Sequence, residues 1–192
     1  IKLNSINKTY LWKIKFKKDL KVEKNLTLTG MMGVGKSTIG KNLAKELEYD
    51  FFDIDKLIEL KEGSSISLIF KEKGEDYFRR LENDITLSKL KKKNCVISLG
   101  GGAFLNSTIR KMVKKSSISF WLDVSVNELT RRLKNSSHRP LLIKKNINES
   151  IKKIYFGRKK IYREADYKIK CGALKSKEIV NVILGLYEKS GN

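Results

Sequence analysis

The chain is poor in proline, cysteine and histidine. A single proline, Pro140, stands among 192 residues, so long stretches can run as helix without interruption. Two cysteines, Cys95 and Cys171, lie far apart and make no disulfide framework. A reducing, cytoplasmic setting is the expectation. The one histidine, His138, has no cysteine near it and offers no zinc-type ligand spacing. No run approaches the ~20 consecutive apolar residues of a membrane-spanning helix, and no membrane partner is expected. Lysines near the start are not followed by a continuous apolar stretch, so no secretory signal is read there. Residue 1 is Ile rather than Met, and residues upstream of it are expected.

Acidic residues are the other shortage. There are 21 of them against 42 basic ones, a net charge of +21. Nucleic acid is one reading of such a balance. Against it, 34 of the 42 are lysines scattered along the chain, with only short clusters such as Lys91-Lys92-Lys93. The accompanying wealth of Asn and Ile is what an A/T-rich coding sequence produces. The charge is therefore read as solvated surface lysine, with no nucleic-acid partner. With 40% hydrophobic residues, the chain can fill one core, and a monomer is expected.

What is present is concentrated at residues 30–38, Gly-Met-Met-Gly-Val-Gly-Lys-Ser-Thr. This fits G-x-x-x-x-G-K-[ST], a loop whose backbone N–H groups form a nest for phosphates. Lys36 can reach the β- and γ-phosphates, and the Ser37 hydroxyl can ligate Mg²⁺. Leu26–Thr29 before the loop reads as a strand. Ile39, Leu43, Ala44 and Leu47 after it keep helical spacing.

Strands are predicted at Leu26–Thr29, Tyr49–Asp53, Cys95–Leu99, Ser117–Leu122 and Tyr167–Lys170. Helices are predicted at Ser37–Leu47, Asp55–Lys61, Ile66–Lys73, Glu75–Leu90, Ser107–Lys115, Ser125–Leu133, Glu149–Ala165 and Lys177–Glu188. Their alternation implies an α/β fold with a parallel sheet. Ser125-Val-Asn-Glu128 matches a capping box. Residues 1–24 precede the first core strand. There Trp12, Ile14 and Phe16 alternate with Lys13, Lys15 and Lys17, the period of a strand, so the segment is expected to be an edge strand or a mobile arm. Residues 25–192 are expected to form one domain, in which the polar segment 134–148 serves as a flexible lid.

Three further groups carry chemistry. Asp53 and Asp55 are read as sharing one face at the carboxyl end of the second strand, where open α/β sheets bind ligands. A plainer role for Asp55 is to cap the following helix. Cys95–Leu99 runs into Gly100-Gly101-Gly102, which lets a ligand approach bare backbone. Arginine is scarce, so Arg79, Arg80, Arg131, Arg132, Arg139 and Arg158 draw notice, because arginine grips carboxylate and phosphate with a fork that lysine lacks.

Together these segments resemble the shikimate kinases. The resemblance rests on Gly30–Gly40, on Asp53-Ile-Asp55, and on Ile66-x-x-Ile69-Phe70 with Gly74-Glu75-x-x-Phe78-Arg79-x-x-Glu82. It continues through Ser98-Leu-Gly-Gly-Gly-Ala103, Arg139-Pro-Leu-Leu142 and Arg158-x-x-x-Tyr162-x-Glu164, and it covers about residues 25–188. It implies a three-layer α/β fold, a five-stranded parallel sheet between helices, of the P-loop kinase type with a lid. It implies transfer of the γ-phosphate of ATP to shikimate, with Mg²⁺. By that resemblance Gly33, Val34, Gly35, Lys36, Ser37 and Thr38 hold the ATP phosphates. Ser37 ligates Mg²⁺ and Asp53 supports it through water. Asp55 binds substrate hydroxyls and orients or deprotonates the attacking one. Arg79 and Arg158 pair with the substrate carboxylate, and Gly101 with Gly102 offers backbone N–H groups. Arg139 swings over the phosphates, and Arg132 faces the adenine. Lysine at 160, where the family often has proline, leaves Arg163 as a second choice to Arg158. The rival expectations are another small-molecule P-loop kinase, acting on gluconate or a nucleoside monophosphate, and a nucleic-acid-binding protein.

Overall fold

Three strands buried along nearly their whole length require a sheet covered on both faces, and that is how the chain folds. A computed structural model describes residues 24–134 and 146–190. Residues 1–23, and with them the alternating Trp12–Lys17 stretch, lie outside the described residues, as do residues 135–145 of the expected lid.

The strands are β1 (Asn25–Thr29), β2 (Asp50–Asp53), β3 (Cys95–Ser98), β4 (Ser117–Asp123) and β5 (Tyr167–Lys170). They form one sheet in the order β2-β3-β1-β4-β5, and every pairing is parallel. All residues of β1 and β3 are buried, as are the first six of β4. The edges, Asp50-Phe-Phe-Asp53 and Tyr167-Lys-Ile-Lys170, are only partly so.

The helices are α1 (Lys36–Leu47), α2 (Ile54–Glu62), α3 (Ile66–Leu90), α4 (Ser107–Ser116), α5 (Val126–Leu133), α6 (Ile147–Tyr162) and α7 (Ser176–Lys189), with a short 3-10 turn at Ala103–Leu105. Ser65 and Asn106 cap α3 and α4 by accepting backbone N–H groups. The capping box read at Ser125 is half formed. Ser125 Oγ accepts the Glu128 N–H at 3.3 Å, but the Glu128 carboxylate is taken by Arg131 and Arg132. The two helices expected on either side of residue 74 are one element broken at Gly74, whose φ of 80° and ψ of 170° leave the helical region. Glycine tolerates that conformation and other residues resist it.

The carboxyl ends of β1, β2 and β3 and the loops leaving them meet at one end of the sheet. At the other end, Asn25 ties the sheet together. It is 2% exposed. Its Nδ2 donates to the carbonyl of Lys92 at 2.6 Å, and its Oδ1 accepts the N–H of Cys95 at 3.0 Å. The start of β1 is thus pinned to the turn that leads into β3. Asn25→Ala strands the buried Cys95 N–H and the Lys92 carbonyl. It should cost about 1–3 kcal/mol per unsatisfied group, seen as a lower midpoint in urea unfolding with unchanged slope.

Candidate active site

The phosphate loop is shaped by glycines whose backbones other residues resist. Gly30, Gly33 and Gly35 have φ of 134°, 78° and 96°. A Cβ on Gly30 would stand 2.5 Å from the carbonyl oxygen of Leu122, and one on Gly33 would stand 2.9 Å from Leu133 Cδ2. The loop therefore lies tight against β4 and α5. Lys36, 8% exposed, folds its ammonium back over the loop, donating to the carbonyls of Gly30 and Met31 at 3.0 Å each. The Val34 side chain is buried in the core, so its backbone N–H is what it can offer a phosphate. Arg132 reaches the same loop, donating to the Gly33 carbonyl at 3.4 Å while Glu128 holds its Nε at 2.8 Å.

A cavity of ≈ 210 Å³ opens beside the loop. Gly33, Gly35, Lys36, Ser37 and Thr38 line one side, and Asp53, Asp55 and Ser98 line the other. The two carboxylates arrive differently from the period-two expectation. β2 ends at Asp53, and Asp55 already belongs to the first turn of α2. Helical rather than strand geometry brings both into the cavity. The cap is Asp53, whose Oδ1 accepts the Lys56 N–H at 3.3 Å, so capping does not account for Asp55.

The three-glycine turn is the second constructed feature. A Cβ on Gly100 would stand 2.3 Å from Glu82 Oε1 and 2.7 Å from Asp55 Oδ1, and one on Gly102 would stand 2.5 Å from Arg79 Nη1. The carbonyl of Gly101 accepts from Arg158 Nη1 at 2.9 Å and from the buried Tyr162 hydroxyl. The structure thus brings Asp55, Arg79, Gly101, Gly102 and Arg158 to one place. Arg158 rather than Arg163 is the arginine of α6 that reaches the turn; Arg163 is exposed. Arg80 and Arg131 are exposed as well. Arg139, with His138 and Pro140, lies outside the described residues.

Two groups at this turn were quoted in the motif without a role. Glu82 is 2% exposed and receives Arg79 Nη1 on Oε2 at 2.7 Å. Burial pushes its carboxyl up, the Arg79 charge opposes that, and Asp55 adds to it. The signal for it was in the sequence, because Phe78, Leu81, Glu82, Thr86 and Leu90 form one buried stripe of α3. An acid in such a stripe needs a partner. Tyr162 packs against Trp121 with ring centroids 6.0 Å apart and carries the hydroxyl that fixes Gly101. Upstream on α6, Tyr155 donates to Asp123 Oδ1 at 2.9 Å. Burial and that carboxylate push the phenol up to about 12, so the anchor stays protonated at physiological pH.

The oxygen-bearing side chains that line the cavity are the hydroxyl residues Ser37, Thr38 and Ser98 and the acids Asp53 and Asp55, hard ligands of the kind that suit Mg²⁺. Among the described residues no cluster of three or more His, Cys, Asp or Glu forms a dedicated metal cage.

A parallel sheet with a phosphate loop after β1, and carboxylates facing it from the end of β2, defines a P-loop small-molecule kinase. The shikimate kinase family model matches residues 32–188, and this chain belongs to that family. The shikimate kinase of Sulfurihydrogenibium sp. is 45% identical over 161 residues, covering 84% of this chain and 96% of that protein. That of Persephonella marina is 45% identical over 162 residues, covering 84% and 98%. Among solved structures, the shikimate kinase from Acinetobacter baumannii in complex with shikimate matches with a TM-score of 0.86 at 31% identity, covering 91% of this chain and 98% of that one. A gluconokinase from Sinorhizobium meliloti, at 16% identity and a TM-score of 0.57, shares the fold alone.

Gly100→Ala drives a methyl group into Asp55 and Glu82. It should lower kcat/KM by about 100-fold, the scale of displacing a reacting group by an ångström. Far-UV circular dichroism should be unchanged, since the position is not a left-handed one.

Proposed function

We propose that this chain transfers the γ-phosphate of ATP to the 3-hydroxyl of shikimate, giving shikimate 3-phosphate and ADP, a step of chorismate and aromatic amino acid biosynthesis. The observation that carries the reading is the convergence of the phosphate loop and Asp55 on one cavity, with the guanidinium groups of Arg79 and Arg158 against the adjoining glycine turn.

In this reading the backbone of Gly33–Thr38 holds the ATP phosphates, and Lys36 exchanges its two loop carbonyls for phosphate oxygens. Ser37 would ligate Mg²⁺ and Asp53 would support it through water. When bound, Mg²⁺ neutralises charge on the phosphate oxygens. Arg79 and Arg158 take the shikimate carboxylate in forked hydrogen bonds, Gly101 and Gly102 present backbone to the ring, and Asp55 takes the ring hydroxyls. The 3-hydroxyl oxygen bonds to the γ-phosphorus as the bond to the bridging oxygen of ADP breaks, and Asp55 accepts the hydroxyl proton. Arg132, which reaches the loop at the Gly33 carbonyl, faces the adenine in this reading. Arg139 keeps the role over the phosphates that the family resemblance implies. Catalysis is positioning and charge stabilisation rather than covalent help.

The same reading makes the protein a cytoplasmic monomer with ATP and shikimate as its partners and neither nucleic acid nor membrane. Among the described residues no helix is long and apolar enough to cross a membrane. ADP release measured with ATP and Mg²⁺ against shikimate, gluconate, AMP and no acceptor tests the acceptor. Release with shikimate alone is expected, and release with gluconate or AMP instead would keep the fold and overturn the substrate. Asp55→Asn should lose about 10²- to 10⁴-fold in kcat while ATP binding, read by calorimetry, persists. Arg79→Lys replaces a fork by a point charge and should raise the shikimate KM about ten-fold with a smaller effect on kcat.

A further inference from the structure

Each nitrogen of the Arg79 guanidinium already donates to an acid of the chain itself. Its Nη1 donates to Glu82 Oε2 at 2.7 Å, and its Nε and Nη2 both donate to Glu75 Oε1, at 3.1 and 3.0 Å. The two acids are held differently. The Glu82 side chain is 3% exposed and sits in the buried stripe of α3, whereas that of Glu75 is 52% exposed.

Glu75 occupies the Nε/Nη2 edge, one of the edges by which Arg79 can take a carboxylate. Nε and Nη2 lie side by side and match the two oxygens of a carboxylate. Glu75 spends a single oxygen on both donors, so the match is incomplete. A ligand that gives one oxygen to each donor makes two straighter bonds. Glu75 also directly follows the break in α3. The Gly74 backbone is non-helical, and a Cβ there would meet nothing within 4 Å. The side on which a Cβ would project is open at the point where the Glu75 segment begins.

We propose that Glu75 is an internal competitor for the substrate-carboxylate seat on Arg79, so that substrate binds by exchanging one carboxylate for another. The inference rests on the reading of Arg79 given above and deepens it into a device for specificity. A tethered acid competes at an effective concentration set by its short span. A simple anion that offers only a charge must displace it unaided. A ligand whose hydroxyls also engage Asp55 brings binding energy from elsewhere. The seat is thus kept ordered and charge-balanced when empty, at the cost of some affinity for the true substrate.

The test is Glu75→Gln in the full chain, with shikimate affinity read by calorimetry and kinetics. An exposed pair of this kind is worth a modest amount. The shikimate dissociation constant and KM should therefore fall about two- to five-fold, with kcat unmoved. Acetate and benzoate should inhibit at correspondingly lower concentrations, competitively with shikimate. Glu75→Ala, which also removes the acceptor oxygen, should show at least the same gain. A dissociation constant that rises or stays the same in both variants, at unchanged Tm, overturns the proposal and makes Glu75 a support for Arg79. Arg79→Lys separates the two levels. If it leaves the shikimate KM unmoved, the seat itself is misassigned. If it raises KM while Glu75→Gln gains nothing, only the exchange fails.

Discussion

The site depends on bare backbone at Gly100–Gly102. An acid from α2, an acid and an arginine from α3 and an arginine from α6 crowd against this turn, and a Cβ at Gly100 would collide with the two acids and one at Gly102 with Arg79. The main chain at that point is the surface on which four charged side chains from three helices are aligned. Its orientation is fixed in turn, because Arg158 and Tyr162 both grip the Gly101 carbonyl. A peptide group held at its oxygen has its N–H direction fixed as well. What looks like three flexible residues in the sequence is one of the most constrained segments of the fold.

Around that turn the charges alternate. Asp55 and Glu82 are both pressed toward Gly100, and Arg79 lies against one of them. Burying two acids side by side is unfavourable, and the guanidinium of Arg79 offsets it. The same logic governs the phosphate loop. Its ring of N–H groups favours an anion, and Lys36 meanwhile satisfies the carbonyls on the loop's own rim. In both halves of the site the groups that will receive substrate are held in shape by internal partners. That is what electrostatic preorganisation requires, since dipoles already in place need not reorganise during the reaction.

Most of this was legible in the sequence where local chemistry decides conformation. The phosphate loop, the positions of the strands and the break at Gly74 follow from glycine placement and periodicity alone. The position of Asp55 was legible as proximity but not as geometry. A four-residue strand that gives way to a helix without an intervening loop leaves no mark in the spacing Asp53-Ile-Asp55, and the period-two reading continued one residue pair too far. The burial of Glu82 could be read from its place in the stripe of α3, but its contact across 18 residues with Gly100, like that of Tyr162 across 61 residues with Gly101, comes from packing alone. The embrace of Arg79 by Glu75 and Glu82 is a local i,i+4 and i,i+3 pattern. It could have been read, had the arginine been considered without its substrate. The lid arginine and the alternating stretch near the start remain expectations of the sequence.

The two cysteines, first notable for their scarcity, give the molecule a pair of natural clocks. Both are buried. Cys95 stands in β3 inside the sheet, and Cys171 follows β5 at its edge. Burial raises both thiols, that of Cys171 to about 11, so at neutral pH only about one in ten thousand Cys171 side chains is a thiolate. In the closed fold neither reacts appreciably, since the thiolate is the nucleophile. Whatever rate a thiol reagent shows is then governed by opening of the surrounding structure, through the open population when reclosing is fast and through the opening rate when it is slow. The ratio of the two rates reports whether the sheet loosens from its edge or comes apart as a whole.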